Sequence, residues 1–124
     1  MAELKAWDSI AVIAESVQNG SKSAVSNVEE SLSRIESLDP EYNVVIAHCK
    51  DRAIERAKKI DSMVSNGEKA GRLAGVPFIA KDNFLVFGAQ TTAASNILKG
   101  FEAPYQSSAI EKLEAEGAIC VAKA

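Results

Sequence analysis

The chain has 124 residues, 47% of them hydrophobic and 25% charged, a balance that fits an ordinary globular domain and excludes a disordered tract or a fibrous repeat. With 14 Lys and Arg against 17 Asp and Glu, the net charge is -3, which argues against a nucleic-acid partner held through counterion release. One domain of this size buries roughly two-thirds of its unfolded surface, so neither disulfides nor a structural metal is needed for a core.

Apolar residues at Leu4, Trp7, Ile10, Ala14 and Val17 recur every three or four positions and predict an amphipathic helix closed by Asn19-Gly20. The same stretch lacks the basic start and unbroken apolar run of a signal peptide. A second helix is expected to be capped by Ser21 or Ser23, to carry Val25, Val28, Leu32, Ile35 and Leu38 on one face, and to stop at Asp39-Pro40. The pair reads as an antiparallel hairpin. After Asn43, the β-branched run 44–47 predicts a strand. Asp51 then opens a third helix with Ile54, Ala57, Ile60 and Val64 inward and Asn66-Gly67 at its end.

Residues 67–75 read as a loop and 76–80 as a second strand, with Pro77 near its start where a missing N–H matters least. Residues 84–101 mix Gly, Thr, Ser and Asn with a few large apolar side chains, and an irregular segment of that length suggests function. The longest charge-free stretch, 83–98, is too broken by polar residues to span a membrane. Residues 106–116 predict a helix with Ile110 and Leu113 inward, Glu111, Lys112 and Glu114 outward, and Gly117 as its stop. Residues 118–122 are a third strand. This alternation implies an α/β layered fold with crossover connections. Short apolar strands need cover on both faces, and the sequence ends at the last of them. The expectation is a piece of a larger fold, with that strand at an exposed sheet edge.

Familiar sites are few. No GxGxxG or GxxxxGK occurs, so the 71–75 loop has no phosphate-cradle pattern. His48 and Cys49 are neighbours on a predicted strand, point to opposite faces and cannot act together; a rim histidine and a buried thiol are expected. Cys49 and Cys120 have no metal-ligand spacing and read as two free thiols of a reducing cytoplasm. Asp8 and Asp61 read as solvated helix positions. Lys81 ends an apolar strand just before the long loop, where strand ends of α/β sheets present groups to a crevice. Partly desolvated there, a neutral lysine can serve as a general base. The plainer alternative is a surface lysine that pairs with Asp82.

The stretch Gly71-Arg72-Leu73-Ala74-Gly75-Val76-Pro77-Phe78-Ile79-Ala80-Lys81-Asp82-Asn83 resembles the first block of the amidase signature family. The match continues through Gly88, Thr91-Thr92, Ser95, Leu98, Pro104-Tyr105, Leu113 and Gly117-Ala118 to Lys123. With Leu38-Asp39-Pro40 and Asn43, it is most similar to the A-subunit branch of the glutamyl-tRNA(Gln)/aspartyl-tRNA(Asn) amidotransferases. The resemblance implies a mixed β-sheet covered by helices. Residues 1–39 would be the helical hairpin and 40–124 the start of the α/β core of one amidase domain. It also implies a Ser, cis-Ser, Lys triad in which Lys81 takes the proton from the bridging serine. Asp82, Asn83, Thr91, Thr92 and Ser95 would support the site, although Asx and ST turns account for them equally well.

The parent complex would be cytoplasmic and would hydrolyse glutamine and pass ammonia to subunits B and C. Those subunits would use ATP and Mg for the misacylated tRNA, with no cofactor, no metal, no membrane and no direct nucleic-acid contact in this segment. The Gly/Ser-rich stretch carrying both serines is not among these 124 residues, so the segment alone is expected to be inactive. Ala122 and Ala124 depart from the family's usual Gly and Thr. The other readings are part of a stand-alone amide hydrolase and a non-catalytic assembly module.

Overall fold

The computed structural model describes residues 6–124; Leu4, assigned above to the first helix, lies outside the described residues. Helix α1 is Ile10–Gln18, and Trp7 precedes it. The start is set by Ser9, whose hydroxyl accepts from the Val12 N–H, satisfying one of the donors that a first turn leaves free. The end is as expected, with Asn19 as C-cap and Gly20 at φ +78°.

Helix α2 spans Ala24–Tyr42, with Ser23 as its cap. It does not stop at Asp39-Pro40. Pro40 sits inside the last turns, and the chain leaves the helix only at Asn43, which adopts a left-handed φ of 52°. Asp39 makes this possible: its carbonyl accepts from Asn43 N–H, and its carboxylate accepts from Val44 N–H at 2.6 Å and Val45 N–H at 3.0 Å. The same bonds draw residues 44 and 45 into the cap, so strand β1 shrinks to Ala47–His48 and Val44 and Ile46 stay exposed.

Helix α3, Lys50–Ser65, is closed by Asn66 and buries Ala53, Ala57 and Ile60. Both earlier helices pack against it, and the short segment 19–23 joins them. Asp61 is no bystander on a solvated face. Its two carboxylate oxygens accept from Ala24 N–H at 2.7 Å and Val25 N–H at 3.1 Å, capping α2 from α3.

Strand β2 is Pro77–Ala80, helix α4 is Ser108–Ala115, and strand β3 is Ile119–Lys123. The mixed sheet has the order β1-β3-β2, with β3 parallel to β2 and antiparallel to β1. The α/β class holds, but β3 is the central strand and every residue of it is buried, against the expectation of an edge. Ile119 and Val121 join Val28, Leu32, Ala57 and Ile60 in one core, while Cys120 joins Cys49, Val86, Ala89 and Ile110 in the other. Packing on both faces is what a strand with apolar residues on both sides requires.

Two positions on α4 also differ from the periodicity. Leu113 is at the surface and Glu114 is 8% exposed, because an arginine on α3 draws the carboxylate inward. The 71–75 loop serves packing. Gly71 at φ +107° lies against the Glu116 carbonyl and Gly117 at φ +93° against the Ala70 carbonyl, and a Cβ at either would collide with backbone.

Candidate active site

The ends of β2 and β3 stay paired past their last regular residues: Ala124 N–H donates to Ala80 C=O at 3.0 Å, and Asp82 N–H to Ala124 C=O at 2.7 Å. This ladder imposes alternation on the β2 end, where Ile79 is exposed, Ala80 buried, Lys81 exposed and Asp82 2% exposed. Lys81 therefore stands on the open face, and the described residues do not supply the partial desolvation expected for it. Among the described residues no carboxylate pairs with it.

Asp82 is turned inward. One carboxylate oxygen accepts from the Thr92 N–H at 3.1 Å and from the Thr92 hydroxyl. The other lies 3.1 Å from the ammonium of Lys123. Lys123 has no exposed surface at all, and its Nζ also donates to the Gln90 carbonyl at 3.2 Å and the Thr91 hydroxyl at 3.3 Å. A carboxylate, a carbonyl and a hydroxyl thus face its three donors, so the buried group has an acceptor for each. Burial works against the Asp82 carboxylate, but the bonds from Thr92 and the Lys123 charge outweigh it and hold the carboxyl below its ordinary range.

Of the residues singled out from the sequence, Asp82, Thr91 and Thr92 come together in this knot. Lys81, Asn83 and Ser95 do not join it. Asn83 is exposed, and the Ser95 hydroxyl accepts from Ile97 N–H at the start of a short 3-10 turn, Asn96–Leu98. Lys123 is the member that sequence reasoning does not select. Its signal is a lone charge closing the apolar run 118–122, beside a parallel strand that is followed by Lys81 and Asp82.

A second, partly buried ion pair braces the long loop. Arg52 on α3 lies 2.6 Å from Glu114. Gln106 bridges the two, accepting from Arg52 and from Phe87 N–H and donating to Glu114. Arg56 donates to the Glu114 and Ala118 carbonyls. Cys49, buried beside Cys120, has its thiol lowered from the ordinary value, chiefly by the hydrogen bond with Cys120, with Arg52 and Lys123 helping and burial opposing. His48 is exposed and Cys49 buried, so the two do not meet. On the open face, Ile79 lines an apolar groove of about 620 Å³ with Trp7, Ile35, Tyr42, Val45 and Pro77. Among the described residues, no group of three or more His, Cys, Asp or Glu is placed to hold a metal, and no helix is long and apolar enough to cross a membrane.

Residues 26–124 match the sequence profile of the family described as Amidase. The chain belongs to the amidase signature family. Among curated relatives, it is 48% identical over 90 residues to the A subunit of glutamyl-tRNA(Gln) amidotransferase from Prochlorococcus marinus strain MIT 9312, covering 73% of this chain and 19% of that protein. The protein of the same name from Symbiobacterium thermophilum is 43% identical over 106 residues, covering 85% and 22%. Among solved structures, a bacterial aryl acylamidase of the amidase signature enzymes superposes with a TM-score of 0.87 at 30% identity, covering 94% of this chain and 25% of that one. The chain thus spans about a fifth of the length of the curated relatives it matches. It is an amidase signature segment like those of amidotransferase A subunits.

Proposed function

We propose that Lys81 is the general base of a Ser, cis-Ser, Lys amidase centre in the glutamine-hydrolysing A subunit of a tRNA-dependent amidotransferase. The observation that carries this reading is the position of Lys81. It is the strand-end residue of the KDN block shared with the family, exposed on the open face of β2 and free of any carboxylate among the described residues. The neutral amine would take the proton of the bridging serine, which takes that of the nucleophilic serine as its oxygen attacks the glutamine amide carbon. The proton returns to the leaving nitrogen as ammonia departs, and water then cleaves the acyl ester. Both serines are assigned to the part of the protein that these residues do not span, so the segment alone is inactive in this reading. Serines within it serve local backbone, as Ser9, Ser23 and Ser95 do.

Subunits B and C would receive the ammonia and convert the misacylated tRNA in the cytoplasm. ATP and Mg²⁺ belong to that step. The two buried carboxylates among the described residues, Asp82 and Glu114, already face Lys123 and Arg52, a donor set that does not fit a divalent ion. Similarity to an aryl acylamidase favours a second reading, a stand-alone amide hydrolase, although identity to the amidotransferase relatives is higher.

The test uses the full gene product with and without its B and C partners, and measures ammonia release from glutamine. Lys81→Met should lower turnover by about 10²–10⁴-fold, and activity should rise with the partners and charged tRNA. Turnover unchanged in Lys81→Met overturns the base assignment. Hydrolysis of aryl or peptide amides without any response to partners supports the second reading instead.

A further inference from the structure

We infer that Lys123 is a positioning residue for Lys81: by holding the Asp82 carboxylate inside the fold, it keeps that carboxylate from pairing with the adjacent lysine and so leaves Lys81 able to exchange a proton. The inference rests on the reading of Lys81 as the base. A base must be neutral for part of its cycle, and a carboxylate within a few ångströms stabilises the ammonium form. Lys81 and Asp82 are sequence neighbours at a strand end, so the threat of such a pair is built into the sequence.

Three observations remove it. The ladder to Ala124 directs Asp82 to the buried face and Lys81 to the open one. The Asp82 backbone is fixed on both sides, its N–H on Ala124 C=O and its carbonyl accepting from Ala93 N–H at 3.1 Å. The carboxylate is engaged by Thr92 and by an ammonium with no exposed surface. Turning Asp82 outward would leave the buried Lys123 charge without its counter-ion, which is strongly disfavoured. Cys49, at the start of α3, lies within reach of the Asp82 and Lys123 charges, and Arg52 on the same helix is held by Glu114. Lys123 thus acts on Lys81 through Asp82, without touching a substrate.

The experiment has two arms. In the full gene product, the acid limb of the pH–turnover profile should move up by about one pH unit in Lys123→Met, because the freed carboxylate then favours the charged Lys81. It should return to the wild-type position in Lys123→Met/Asp82→Asn, where no carboxylate remains. Lys123→Gln, which keeps a donor for Gln90 and Thr91, replaces the methionine variant should that one not fold. An unmoved acid limb in a folded single variant, or an equal displacement in the double variant, overturns the inference.

The second arm needs no variant. With lysine labelled at ¹³Cε, the Lys123 resonance should shift as Asp82 is protonated in acid and that of Lys81 should not; a Lys81 shift tracking Asp82 overturns the inference. Failure of the base reading looks different: Lys81→Met would retain turnover whichever lysine senses Asp82.

Discussion

Two lysines end neighbouring parallel strands, and the fold treats them oppositely. Lys123 closes the central strand with no exposed surface, while Lys81 closes the edge strand β2 in the open. Their backbones run side by side, with Ala80 opposite Lys123, so depth in the sheet does not by itself explain the difference. Partners do. The loop after β2 returns Gln90, Thr91 and Thr92 over the β3 end, and Asp82 completes a cage with acceptors for the ammonium. Nothing equivalent among the described residues covers the other face at Lys81. A buried charge is thus a property of the residues that fold back over it.

The largest test of this contrast is truncation of each lysine. Lys123→Met should cost about 3–5 kcal/mol, because it leaves a buried carboxylate unpaired, whereas Lys81→Met should stay within about 0.5 kcal/mol; denaturant unfolding of both variants measures the gap, and equal costs would break the contrast. Acid comes next. The Asp82 carboxyl is held below its ordinary range, so its stabilising contribution is complete above about pH 4 and is lost as pH falls through the depressed native value. The difference in melting temperature between wild type and Asp82→Asn should therefore narrow below about pH 4, and a constant difference would contradict the pairing. The smallest effect is expected at Thr91→Val, which removes one of three acceptors from Lys123 and should cost about 1 kcal/mol in the same unfolding assay.

Much of this architecture was legible from local chemistry. Asn19-Gly20, Ser23 and Asn66-Gly67 mark helix ends because caps are decided within four residues of themselves. The run to Pro40 misleads, since a proline in a last turn can be carried by a carboxylate one residue earlier that takes the next free N–H groups. Glu114 misleads for a longer-range reason: its burial depends on Arg52, 62 positions earlier in the chain by numbering. At the site, the KDN block points to Lys81, and Asp82, Thr91 and Thr92 are found together. Lys123 is not visible from spacing, because its burial depends on a loop returning some 32 residues away. That β3 would be central is likewise a matter of crossover topology, which apolar content alone does not order.

The Asp61 carboxylate has a consequence for how the helical layer keeps its alignment. Because its two oxygens receive the first N–H groups of α2, sliding α2 along α3 by one turn, about 5.4 Å, would empty that carboxylate and leave the Ala24 and Val25 N–H groups without it. Apolar surfaces of similar residues tolerate such slippage, and Val28 and Leu32 against Ala57 and Ile60 would do little to forbid it. Asp61 works as a locating pin, fixing where the helices meet while the apolar contacts supply how strongly they hold.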